Sequence, residues 1–280
     1  MRVLVAGAAG MLGQDVVDAC VERHHEVFAF GRRELDITDP LDCEDALNEI
    51  RPDAVVNCAA WTDVDGAEAD EAGAMRVNDT GAAHLAGAAS NVGAKVVYIS
   101  SDYVFDGEAH RPYTESSLTG PISAYGRSKA AGETSTAVAN ERHLIVRSSW
   151  LFGTRGHNFV ETMLRAASRQ PEVIVVSDQV GVPTFTRHLA SALADLLPSE
   201  EFGVHHVVAS GQCSWFDFAQ EIFDQAGSEC RVMAGTTEML GRPAPRPAYS
   251  LLASERANAP VLPKWQRGLR EYLFERGQPG

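Results

Sequence analysis

Lysine is nearly missing from this chain. It occurs only at Lys95, Lys129 and Lys264, and arginine supplies almost all the remaining positive charge. With a net charge of -14 the surface lacks the basic patches that nucleic-acid phosphates require, so no nucleic-acid partner is expected. Scarce lysine with excess carboxylate fits either a salt-adapted cytoplasm, where acidic groups keep a surface hydrated, or a GC-rich genome that favours arginine. Long apolar runs are also absent. None approaches the roughly 20 residues needed to cross a bilayer, and the first residues read directly as a strand, so a soluble cytoplasmic protein with no membrane contact is expected. The five cysteines, Cys20, Cys43, Cys58, Cys213 and Cys230, include no CxxC pair. That excludes the usual zinc spacing, and an odd number leaves no complete disulfide frame, which points to small buried thiols in a reducing compartment. No internal repeat, low-complexity tract or linker interrupts the chain.

What is present is enough for a sizeable core: 280 residues, 45% of them hydrophobic, make one large domain or two interlocked ones. Residues 2–6 are a short apolar run, followed by Gly7-Ala8-Ala9-Gly10-Met11-Leu12-Gly13 and a helical period over 14–23. Strand, glycine-rich turn and helix in that order form a dinucleotide site. Gly7 permits the tight turn, Gly10 lets backbone approach a pyrophosphate, and Gly13 lets the helix pack closely on the strand. The GxxGxxG spacing is that of the short-chain dehydrogenases/reductases and their extended, sugar-nucleotide branch. After the second strand, 26–30, an NAD-selective site would carry an acidic residue, whereas this sequence has Gly31-Arg32-Arg33. Guanidinium suits a 2'-phosphate, so NADPH is favoured as cofactor and NADH stays an alternative. Asp39 before Pro40 predicts an N-cap and a helix to residue 50.

The third strand, 53–58, ends in Asn57-Cys58-Ala59-Ala60-Trp61-Thr62-Asp63, where small residues at a strand's carboxyl end leave room for the middle of the cofactor. Residues 68–92 read as one or two covering helices, with Asn78 a mid-helix polar residue. The fourth strand, 95–99, delivers Ile99 to the cofactor side and is followed by Ser100-Ser101-Asp102. About two dozen residues later comes Tyr125-Gly126-Arg127-Ser128-Lys129 at a helix start. Tyrosine and lysine four apart share one helical face. At about 4 Å and an effective dielectric near 20, an ammonium stabilises a phenolate by about 4 kcal/mol, a predicted fall of roughly three pKa units. Ser101, Tyr125 and Lys129 therefore form a candidate set for ketone reduction: Ser101 hydrogen-bonds the carbonyl, Tyr125 protonates it, and Lys129 tunes the phenol and holds the nicotinamide ribose. A fifth strand at 143–147 leads to Trp150, a candidate wall of the same cavity. Further on, helices are predicted at 159–169, 186–196, 214–226 and 265–276, with strands at 173–176, 205–208 and 231–233. Arg242 and Arg246, in a proline-rich loop of an acidic protein, are candidates for holding a substrate diphosphate.

The fold expected from this order is α/β: a Rossmann-type doubly wound parallel sheet over 1–150, with 186–208 returning to it. A smaller C-terminal α/β substrate-binding portion comprises 151–185 and 209–280. The runs GAAGMLG, LDITD, NCAAWTDVDGAE, SSDYVFDG, YGRSK, DQVGVPT and RPAYSLL, with the turn Arg147-Ser148-Ser149-Trp150, together resemble the dTDP-4-dehydrorhamnose reductase family over essentially the whole chain. The resemblance implies hydride transfer from a reduced nicotinamide to C4 of a nucleotide-linked 6-deoxy-4-keto sugar. Gly10, Met11, Leu12, Asp36, Ile37, Ala60, Trp61 and Thr62 would line the cofactor, and Ser101, Asp102 and Trp150 would contact the sugar nucleotide. Ser101 stands where the family commonly has threonine, and Tyr249 interrupts its RPxNS pattern, which leaves the sugar and nucleotide open. Some relatives dimerise through magnesium held by acidic residues. Those positions are not matched here, so no metal is assigned and a homodimer stays an open alternative. The rival functions are a reductase or epimerase of another nucleotide sugar, and a non-catalytic NADP-binding subunit similar to that of methionine adenosyltransferase.

Overall fold

A computed structural model describes residues 1–277. The first half alternates strand and helix: β1 (Arg2–Ala6), α1 (Met11–Glu22), β2 (Glu26–Phe30), α2 (Pro40–Ile50), β3 (Ala54–Asn57), α3 (Val64–Ala69), α4 (Glu71–Met75), a π-helical turn (Arg76–Gly81), α5 (Ala82–Asn91) and β4 (Lys95–Ser101). A 3-10 turn (Asp102–Val104), α6 (Ala124–Ala139) and β5 (His143–Ser148) follow. The remainder contains β6 (Leu151–Phe152), α7 (Phe159–Ala167), β7 (Glu172–Val176), β8 (Val180–Gly181), β9 (Thr184–Phe185), α8 (Thr186–Leu196), β10 (Gly203–His206), β11 (Cys213–Ser214), α9 (Trp215–Ala226), β12 (Arg231–Gly235), α10 (Thr237–Leu240) and α11 (Trp265–Arg276).

Six strands form one parallel sheet in the order β10-β5-β4-β3-β1-β2. Order reverses beside β1, so the loops after β1, β3 and β4 open at the sheet's carboxyl edge, where α/β sheets bind ligands. Because strand side chains alternate, Val3 and Val5 join α1 and α8 in one core, whereas Leu4 and Ala6 join α2 and α5 in another. The sheet is thereby buried on both faces and the fold is Rossmann-type α/β. A third core, rich in aromatics such as Phe152, Phe185, Phe218, Trp265 and Tyr272, holds α7, α9 and α11 together. Around it lie three two-stranded ribbons, β7 with β12, β8 with β11, and β6 with β9.

Several boundaries differ from the sequence expectation for local reasons. Helix α1 starts at Met11, three residues early, because extended Gly10 already serves as its N-cap. The segment expected as one or two helices is α3, α4, the π turn and α5. Asp63 and Asp70 each end one path and cap the next, accepting from the Gly66 and Gly73 amides at 2.9 and 2.8 Å. A Cβ on those glycines would come within 2.3 and 2.2 Å of the capping carboxylates. β10 occupies Gly203–His206 and not 205–208, set by its register against Leu144–Arg147 of β5. The Asp39 cap is as expected, accepting from the Leu41 amide at 2.9 Å with Pro40 at the first turn.

Candidate functional site

The first cavity, about 270 Å³, lies over the carboxyl ends of β1, β2 and β3. It is lined by Gly7, Gly10, Arg32, Asp36, Ile37, Ala59, Ala60 and Trp61 among the sequence candidates. Gly7 has φ +75°, and a Cβ there would meet Ala59 backbone nitrogen at 2.5 Å. One on Gly13 would meet the Gly7 carbonyl oxygen at 2.3 Å. Both glycines are therefore steric requirements of the turn. Gly10, the cap of α1, lines the cavity and provides no side-chain hydrogen bond, so the first amides of that helix have no capping partner. That is the arrangement a pyrophosphate needs, and the glycine cradle fits a dinucleotide. Asp36 lies at the rim and is held below its ordinary range, chiefly by the Thr38 hydroxyl, which donates to it at 2.8 Å.

The second cavity, about 290 Å³, is walled by Tyr103, Phe159, Met163 and Trp215, with Gln179, Thr237, Leu240, Arg242 and Arg246 around its mouth. Between the two cavities stands Tyr125. It lines neither cavity itself: with Trp61, which lines the first, it packs on Ala67, Ala74 and Ala124, and its ring meets Tyr103, which lines the second, edge-on at 5.5 Å between centroids. Local chemistry places it there. Ser123 caps α6 by accepting from the Gly126 amide at 3.1 Å. Gly126 is obligatory because a Cβ would lie 2.2 Å from the Tyr103 carbonyl oxygen. β4 runs through Ser101, two residues beyond its expected end, and brings that hydroxyl to face the phenol. The Ser101 hydroxyl also donates to Asp102 Oδ1 at 3.0 Å. Asp102 Oδ2 is buried with no hydrogen bond of good geometry, and burial pushes this carboxyl up to about 6 against the opposing Ser250 and Ser101 hydroxyls.

The Tyr125–Lys129 pair departs from the predicted electrostatics. Burial pushes the phenol up to about 12, with the Ser101 hydroxyl opposing, and burial lowers the Lys129 amine to about 7. The amine donates to the Ile99 carbonyl at 2.7 Å and lies 4.1 Å above the Tyr98 ring. Burial dominates both groups, and Lys129 is not among the charges that act on the phenol, so the predicted lowering of the phenol by the neighbouring ammonium is not found.

Over residues 1–277 the chain matches the sequence profile of the RmlD substrate binding domain. A dTDP-4-dehydrorhamnose reductase of Streptomyces griseus is 43% identical over 280 residues, covering 96% of this chain and 92% of the relative. The chain belongs to the dTDP-4-dehydrorhamnose reductase family. A dTDP-4-keto-6-deoxy-D-glucose reductase of Streptomyces niveus is 40% identical, covering 91% of this chain and 89% of that one. The solved dTDP-4-dehydrorhamnose reductase of Bacillus anthracis in complex with NADP superposes with a TM-score of 0.95 at 38% identity, over 98% and 99% of the two chains.

Within this family fold some candidate residues fall elsewhere than the sequence suggested. Leu12 is a core residue of the sheet, and Met11 packs against Gly153 and Gly156. Thr62 is exposed in the loop past Trp61 and is not among the cavity-lining residues. Trp150, at φ +48°, backs the second cavity without lining it. Its ring stacks on Trp215 at 3.7 Å, and its other neighbour is Gly181, where a Cβ would sit 2.6 Å away. Arg246 reaches the cavity but already spends its fork on Asp65, at 3.0 and 2.9 Å, and Arg242 lies 3.6 Å from the same carboxylate. Arg246 holds Asp65 below its ordinary range, so neither arginine is an uncommitted phosphate clamp. Sequence reasoning missed Tyr103, Gln179 and Trp215. The first two sit inside the quoted runs SSDYVFDG and DQVGVPT, whereas Trp215 gave no signal beyond following a helix cap. Asn78, expected as a mid-helix polar residue, is buried in a π turn: it accepts from the Trp61 amide at 2.8 Å and donates to Ser128 Oγ at 2.9 Å, joining the first cavity to α6.

Proposed function

We propose that the protein reduces the C4 ketone of a nucleotide-linked 6-deoxy-4-keto sugar with NADPH, dTDP-4-dehydro-L-rhamnose to dTDP-L-rhamnose being the reaction that best fits. The observation that carries this reading is one phenol standing between a glycine-cradled cavity and an aromatic-walled one. Gly7, Gly10, Ala59, Ala60 and the start of α1 would hold the dinucleotide, with Arg32 at the ribose-phosphate end and Lys129 and Ile99 at the nicotinamide end. NADPH, when bound, supplies the hydride.

The chain's own residues do the rest. Tyr125 gives its proton to the oxygen that becomes the C4 hydroxyl, and the Ser101 hydroxyl donates a hydrogen bond to that oxygen as charge develops on it. Lys129, four residues on along the same face, supports the phenolate left behind. Asp102, which Ser250 and Ser101 already approach, accepts from a sugar hydroxyl in competition with the Ser250 hydroxyl, which orients the ring. Phe159 and Trp215 offer flat apolar walls to a base, with Arg242 and Arg246 of the portion formed by 151–185 and 209–280 at its edge. A diphosphate entering there competes with Asp65 for the two guanidinium groups. We place the activity in the cytoplasm. The homodimer is an independent matter for sedimentation.

Incubation of the protein with NADPH and dTDP-4-dehydro-L-rhamnose tests the reading: stoichiometric loss of NADPH with appearance of dTDP-L-rhamnose is expected. Sugar isomerisation without cofactor loss would make it an epimerase. Cofactor binding without turnover on any 4-keto sugar nucleotide would leave a binding subunit.

A further inference from the structure

The most deeply buried ion pair near the reacting groups lies beneath α6. Glu133 and Arg147 are 6% and 4% exposed. Glu133 Oε1 accepts from Arg147 Nε at 2.8 Å and from Ser100 Oγ at 2.5 Å, and Oε2 accepts from Arg147 Nη2 at 2.6 Å. Ser100 immediately precedes Ser101, and in the sheet it is the register partner of Arg147, which in turn is the partner of His206 on β10. One carboxylate therefore ties α6 to the carboxyl ends of β4 and β5, and through the Arg147–His206 contact at 3.4 Å to β10. Stability alone is a weak reason for such a pair, because buried ions lose about as much in desolvation as they recover. A bidentate fork has one geometry, however, and fixes register where apolar packing would tolerate sliding.

We propose that Glu133 is a positioning residue for the reduction: it locks the Tyr125–Lys129 face of α6 over Ser101 and sets a fixed negative charge one helical turn from the Lys129 amine. The inference rests on Tyr125 and Lys129 being the reacting pair. Lys129 is faced by the Cys58 thiol just past β3, by the Tyr98 ring and Ile99 carbonyl of β4, and by Glu133 of its own helix. Asp79 of the π turn is engaged by Ser135. Of these, Glu133 most opposes the loss of the amine's proton caused by burial. Positioning and charge thus act on the same two side chains.

The test is the pH dependence of kcat and of kcat/KM for wild type, Glu133→Gln, and the double variant Glu133→Gln/Arg147→Met. The double variant removes both charges and fills the space, which keeps a fold that the single variant loses if the unpaired Arg147 is too costly. The pH above which activity falls should move acidward by about one unit in every folded variant, with kcat down about tenfold at neutral pH. KM for NADPH should stay within about twofold, a split that general loosening of the fold would not give. A folded double variant with the wild-type profile and kcat overturns the proposal while leaving the reacting pair intact. Lys129→Met, run alongside, separates the claims: if it keeps the wild-type rate and profile, the reacting-pair reading fails, and this inference fails with it.

Discussion

The two cavities are nearly equal in size, about 270 and 290 Å³, yet they are built in opposite ways. The first has a floor of glycines and alanines with a rim of side chains such as Arg32, Asp36 and Trp61, supplied by three strand ends all within the first 77 residues. The second is a product of side chains: Tyr103 after β4, Phe159 on α7, Gln179 before β8, Trp215 on α9 and Thr237 on α10 converge from a span of more than a hundred residues. Backbone recognition suits a cofactor whose pyrophosphate presents the same charge to every relative. Side-chain recognition suits a substrate that differs between relatives, because one substitution changes the wall without unseating the strand beneath it.

The largest effect expected at the junction is from Tyr125→Phe. Removing the proton donor should cost roughly 10² to 10⁴ in kcat with affinities for both ligands retained. Fluorescence titration of NADPH beside steady-state rates checks this, and an unchanged rate would take the phenol out of the chemistry. Trp215→Ala should act on one side only. Loss of the ring stacked at 3.7 Å on Trp150 is expected to raise KM for the sugar nucleotide by about tenfold, an effect of roughly 1.4 kcal/mol, with NADPH affinity unchanged. A matching loss of cofactor affinity would erase the distinction between the two cavities. The smallest effect is expected from Arg32→Ala, at an exposed position on the rim of the first cavity. NADPH should bind about threefold to tenfold more weakly and NADH little differently, as measured by paired titrations. Equal changes for the two would make Arg32 ordinary solvated charge.

Legibility in the sequence follows the same division. Glycine spacing, the Asp39–Pro40 cap and the strand–turn–helix order announce β1 through α2 because each depends on residues close in the chain. The breaks between α3, α4 and α5 were not legible, since Asp63 and Asp70 look like surface acids until their carboxylates are seen capping the next turn. At the site, the shared face of Tyr125 and Lys129 follows from a spacing of four. The fate of their protons does not, because it is set by burial, which no local pattern records. Arg246 illustrates the same limit: a basic residue in an acidic chain suggests an anionic ligand, and the partner waiting for it is Asp65, 181 positions away.

By itself the sequence determined the Rossmann-type order of elements, the glycine turn and the shared helical face of Tyr125 and Lys129, all of them properties of residues close along the chain. Only the tertiary structure decided which charges are already spent, which aromatics line the second cavity and in which direction burial displaces Tyr125 and Lys129 from their ordinary pKa. The physical reason is that hydrogen-bond partners, stacking and desolvation depend on distance in space, and for Trp150 with Trp215 or Glu133 with Arg147 that distance is fixed by the packing of separate elements.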